Sequence, residues 1–87
     1  MYIHLGNNIM LPTDEIIGIF DLENTSVSKR TRDFLNKAEK QGRVITISYD
    51  LPRSFVIAGK TLENSKIYIS QISSSTLLKR TGYIDSL

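Results

Sequence analysis

Six of the eleven basic residues in this 87-residue chain fall within one short stretch: Lys29, Arg30, Arg32, Lys37, Lys40 and Arg43. No lysine or arginine precedes them. Lys and Arg at such density suit one kind of chemistry. They neutralise phosphates, displace the counterions condensed on a nucleic acid, and so bind without reading bases. Asp14, Glu15, Asp21 and Glu23 give residues 1–28 a formal net charge of −4, whereas residues 29–43, opposed only by Asp33 and Glu39, carry +4. The total of +2 therefore conceals an acidic start and a basic middle. That polarity suits a polyanion partner, or copies of the chain docked head to tail.

Three further cations extend the candidate set. Arg53 follows Pro52 in a loop between two expected strands, where a stiff connection presents it to a phosphate or a minor groove. Lys60 and Lys66 bracket the next turn and enlarge the same patch. The plainer reading stands beside each: charge on the back of a helix keeps it soluble, and loops are surface segments whatever they do. Tyr68 either stacks a base or is an ordinary half-buried sheet tyrosine.

Catalytic chemistry finds little support. His4 is the one histidine and there is no cysteine, so neither a thiolate metal site nor a nucleophile–base pair can be assembled. The five glycines are scattered singly and make no phosphate-cradling loop. Asp14 and Glu15 are sequence neighbours, which point apart on a helix or a strand. The expectation is a non-enzyme with no cofactor and no metal. No apolar run approaches the ~20 residues of a membrane span, and Met1 to Gly6 lacks the basic and apolar parts of a signal peptide. A cytoplasmic protein without a membrane partner is expected, and the absence of cysteine fits a reducing compartment.

The elements that must position these residues follow from periodicity. Tyr2–Leu5 and Ile9–Leu11 flank the turn Gly6-Asn7-Asn8 and predict a hairpin. Thr13-Asp14-Glu15 allows a helical turn. Ile16-Ile-Gly-Ile-Phe20 is rich in β-formers and predicts a buried strand. Asn24-Thr25-Ser26 offers caps for a helix whose apolar stripe is Val27, Phe34, Leu35 and Ala38, spaced for one face at ~100° per residue. Lys29 and Lys40 lie opposite that stripe, Arg30 and Lys37 flank one edge, and Arg32 flanks the other. Gly42 suits a left-handed helix end. Strands are expected over Arg43–Tyr49, Ser54–Ala58 and Lys66–Ile72, the last with Ile67 and Ile69 inward and Lys66, Tyr68 and Ser70 outward. Ser73-Ser74-Ser75 caps a short helical turn over Thr76–Arg80. The fold class is α+β: a small, mostly antiparallel sheet of about five or six short strands, one main helix and a short C-terminal helix. Residues 1–80 form a single domain and 81–87 a loose tail.

Taken together, Tyr2-Ile-His-Leu-Gly6, Glu15-Ile-Ile-Gly-Ile-Phe-Asp21, Phe34-Leu35 through Gly42-Arg43, and Lys66-Ile-Tyr-Ile-Ser70 with the following Ser74-Ser75-Thr76-Leu77 resemble the Rem family of bacterial extracellular matrix regulators. The resemblance covers roughly residues 1–80 and rests on the order of elements rather than on a sharp motif. It implies a small DNA-binding regulator that assembles into rings and activates biofilm-matrix operons. It also implies DNA-contacting arginines just before the Ile-rich strand and as a pair in the loop after the strand that follows the helix. Here the first place holds Asp14 and Glu15, and the loop reads Tyr49-Asp-Leu-Pro-Arg-Ser54, so Leu51-Pro52 replace the pair and Arg53 alone stands nearby.

Two functions follow. In the first, the chain is a homo-oligomeric DNA-binding regulator contacting phosphates through Arg53, Lys29, Arg30 and Arg32, supported by Lys60 and Lys66. In the second, it is an oligomeric scaffold with little direct DNA binding. Asp14, Glu15, Ile17 and Ile19 are the expected subunit contact.

Overall fold

Ile3 and Leu5 alternate with Tyr2 and His4, so an extended chain has one apolar side. In the computed structural model, which describes residues 1–23 and 28–81, they form β1 (Tyr2–Gly6), paired antiparallel with β2 (Ile9–Pro12). Asn7 and Asn8 turn at φ 46° and 64°, left-handed values that Asn tolerates because its short side chain bonds locally. A 3-10 turn (Thr13–Glu15) leads into β3 (Ile16–Asp21). There follow α1 (Lys29–Lys40), β4 (Val44–Thr46), β5 (Ser54–Ala58), β6 (Lys66–Ser70) and α2 (Ser74–Arg80).

Among the described residues, six strands divide into two sheets. β1 and β2 stand as a hairpin; the others form a sheet in the order β3-β5-β6-β4. All pairs are antiparallel except β4 with β6, which is parallel. Both faces of this sheet are covered. Phe34, Leu35 and Ala38 of α1 pack on Val44, Phe55, Ile57, Ile67 and Ile69. On the other face, Ile3, Leu5 and Leu11 of the hairpin and Leu77 of α2 pack on Ile47, Val56 and Ala58. Fully burying an aliphatic side chain of this size is worth ~1.5–3 kcal/mol. β5, in the middle, is buried at every position. Buried serines join the layers: Ser70 Oγ donates to Leu5 O (2.8 Å) and Ser54 Oγ to Ile72 O (2.7 Å).

Helix α1 begins where Ser28 Oγ accepts from Thr31 N–H (3.2 Å). The caps expected at Asn24, Thr25 and Ser26, and Val27 with them, lie outside the described residues. The helix ends as expected, with Gly42 at φ 72° and Arg43 N–H returning to Ala38 O (2.9 Å), the closure that satisfies a free helical carbonyl.

Four expectations change. The strand predicted to be buried over Ile16–Phe20 is β3, which lies at the sheet edge with Ile17 and Phe20 exposed because only β5 pairs with it. The strand predicted to run to Tyr49 stops at Thr46, because the chain turns so that Ile47 enters the hairpin-side core. β6 ends at Ser70 and is not half exposed: it lies between β5 and β4, and Tyr68 packs against the hairpin-side core. Ser70 is buried because Leu5 O takes its hydroxyl. The terminal helix starts at Ser74, earlier than Thr76, because Ser73 Oγ caps Thr76 N–H (3.3 Å). Residues 82–87 of the expected tail lie outside the described residues.

Candidate nucleic-acid interface

The apolar side of α1 faces the sheet, so its charged side must face out. Lys29, Arg30, Arg32, Lys37 and Lys40 are all exposed. Arg30 sits at one margin, where it lines an apolar groove of about 290 Å³ with Phe20, Phe34, Phe55, Ile57 and Leu62. The Phe20 ring stacks on Phe55 with centroids 4.8 Å apart.

Arg43, the sixth cation of the basic block, is taken up by the protein itself. Its Nε donates to Gln41 Oε1 (2.8 Å), and one terminal nitrogen donates to Ser65 O (2.8 Å) and Ser65 Oγ (3.2 Å). The guanidinium lies 5.9 Å from the centroid of Phe34. This arginine fastens the β5–β6 loop to the corner between α1 and β4. Its spacing in the sequence gives no sign of that, because Ser65 lies 22 residues on.

Arg53 is held by its backbone as well as its side chain. Its N–H donates to Ser70 O (2.9 Å) and its carbonyl accepts from Leu22 N–H (3.0 Å). The guanidinium forms an ion pair with Glu23, with the Arg53 side chain 49% exposed. Glu23 was not among the expected site residues, and a partner thirty positions away leaves no local signal. Arg30 shares the groove with Phe20 of β3, and Arg53 meets Leu22 and Glu23 just beyond the end of that strand. Both therefore gather at one end of β3.

Lys66 lies elsewhere. It pairs with Ala58 at the far end of β5 from Arg53, and it lines a crevice with Glu15, Asn64 and Tyr68. A carboxylate beside it weakens its pull on a phosphate. The pKa of Tyr68 is raised above its ordinary 10.0, first by burial and second by the Glu15 charge. Lys60 is exposed and follows β5 in the loop whose Leu62 walls the groove. The six predicted phosphate contacts thus do not form one cluster.

Of the expected subunit contacts, Asp14 and Glu15 are exposed on the 3-10 turn. Ile17 is 45% exposed where the β3–β5 register shifts. Ile19 leans on the hairpin-side core. Among the described residues, no three His, Cys, Asp or Glu side chains are placed to hold a metal, and no helix is long and apolar enough to cross a membrane.

Residues 2–81 match the model of a family described as RemA-like, extracellular matrix regulatory protein A-like. The chain is also 38% identical over 84 residues to extracellular matrix regulatory protein B of Bacillus subtilis (strain 168), covering 97% of this chain and 94% of that protein.

Proposed function

The chain belongs to the RemA-like family of extracellular matrix regulatory proteins, and from that premise we propose that it regulates extracellular-matrix (biofilm) genes in the cytoplasm as a non-enzymatic, homo-oligomeric DNA-binding protein. The observation that carries DNA binding is the outward presentation of Lys29, Arg30, Arg32, Lys37 and Lys40 on a helix anchored by its opposite face. Arg53 is the second contact, offered by a loop fixed through both its backbone groups. One copy binds weakly, and several copies sum their phosphate contacts by avidity.

Filter binding of a duplex at several salt concentrations tests this. Log affinity falls linearly with log salt, with a slope of ~0.9 for each phosphate neutralised. Failure to bind even at low salt sinks the proposal.

A second reading has its own support. Glu23 occupies Arg53, and Asp14 and Glu15 stand where the family resemblance calls for a phosphate contact. Under it the chain is a scaffold whose acidic turn docks on the basic helix of another copy. Asp14→Lys with Glu15→Lys then disperses the assembly on a sizing column and leaves DNA binding no weaker. An unchanged elution volume rejects that docking.

A further inference from the structure

Phenylalanine rings from three separate elements meet at one groove: Phe20 from β3, Phe34 from α1 and Phe55 from β5. Phe55 and Ile57 are buried and make its floor, whereas Phe20 and Leu62 at the rim are 43% and 51% exposed. Large apolar side chains left in water around a concavity favour an apolar occupant. The groove is already shaped. The Phe20 ring is stacked on Phe55, and the Leu62 carbonyl accepts from Ser65 Oγ (2.7 Å) and from Arg43 (3.4 Å). Arg30 is the one charged residue of this lining. It is exposed, and among the described residues its guanidinium has no hydrogen bond or ion pair. Helix α1 holds no acidic side chain in its first turn to offset that charge.

We propose that this groove binds a small aromatic carboxylate, its ring among Phe20, Phe34 and Phe55 and its carboxylate on Arg30. Each part of the ligand answers one part of the site. Phenyl walls offer faces and edges on which a further ring packs in offset or edge-to-face contact. The planar guanidinium fork matches a carboxylate with two parallel hydrogen bonds. The volume of about 290 Å³ stands near the ~300 Å³ at which ligand pockets begin, so the occupant has a single ring. A bound carboxylate also neutralises a cation that faces phosphate in the reading above. Ligand and DNA then compete for Arg30, and the ligand lowers DNA affinity. That competition rests on the DNA binding already proposed; occupancy of the groove does not.

The probe is 3-phenylpropanoate, titrated into the full chain by isothermal calorimetry. A dissociation constant of about 1 mM or tighter is expected for a ligand of this size. Its neutral amide, 3-phenylpropanamide, and acetate, which lacks the ring, are each expected to bind about tenfold more weakly or worse. Arg30→Gln changes an exposed position and is expected to weaken the probe about tenfold while leaving the amide unchanged. Lys40→Gln, at the other end of α1, is expected to change neither. No binding at about 10 mM probe, equal binding of the amide, or an unchanged constant in Arg30→Gln overturns the proposal. So does binding seen only in the dissociated chain at high dilution, which assigns the groove to a contact between copies. In filter binding, saturating probe is expected to lower the salt slope by ~0.9 relative to acetate at equal concentration, and an equal slope overturns the competition. A chain that binds the probe but no DNA upholds the groove and overturns the DNA-binding reading alone.

Discussion

At the corner between α1 and β4, the Arg43 guanidinium meets Gln41, Ser65 and the carbonyl of Leu62, with the Phe34 ring beneath it. In the loop before β5, the Arg53 guanidinium meets one carboxylate and keeps half its surface in water. Both residues count equally toward a basic sequence. The first has its donors directed at neutral protein oxygens and joins two segments of the fold. The second has its charge opposed by a partner that a phosphate can replace. A charge total therefore overstates what a ligand can use, and the fold determines which cations remain available.

Arg43→Ala gives the largest expected effect. It takes the guanidinium away from Ser65 O and Oγ, whose hydroxyl keeps its bond to Leu62 O, and should lower stability by about 1.5–3 kcal/mol, the worth of bonds to a charged group. The urea midpoint measures this, and a loss below about 0.5 kcal/mol would erase the contrast between the two arginines. Arg53→Ala should do the converse. Stability changes by less than about 1 kcal/mol, because the pair is at the surface, while DNA affinity and its salt slope both fall. A slope equal to that of the unaltered protein would remove Arg53 from the interface.

Glu23→Gln sharpens the comparison further, because it frees Arg53 without moving it. DNA affinity should rise about fivefold at most, the ceiling set by a surface pair worth up to ~1 kcal/mol. The gain should shrink in high salt. No gain in the Arg53→Ala background is the expected control, and an equal gain there would assign the effect to general charge.

The smallest effect lies at Tyr68, away from both arginines. Its folded pKa is above 10.0, so the unfolded chain releases that proton first as pH rises. The stabilisation is complete below about pH 10 and is lost as pH climbs through the folded pKa. Tyr68→Phe should remove this part of the alkaline decline, as seen by comparing urea midpoints from about pH 8 to about pH 11.

Local pattern was enough for much of the fold. The hairpin, β5, the face of α1 and the Gly42 helix end all follow from alternation, β-branching or helical spacing within a few residues. Strand placement was not legible in the same way. Tyr68 and Ser70 look outward by alternation, yet β6 lies between two strands and the hairpin covers its second face. The candidate site divides along the same line. Exposure of the α1 cations follows from the apolar stripe. The use of Arg43 by Ser65, and of Arg53 by Glu23, depends on residues some twenty to thirty positions distant.

The sheet order carries a kinetic consequence. β5 and β6 are joined by the short Gly59–Ser65 connection and pair as neighbours in sequence, so they are expected to close early, on the microsecond scale of hairpins (~1–10 μs). β3 must reach β5 across the whole of α1 and β4, and its loop-closure cost delays it. Val56→Ala should then slow refolding, whereas Ile19→Val should mainly speed unfolding, a division that chevron plots resolve. Refolding at rising protein concentration should slow as strands from different chains compete for the same vacancy beside β5.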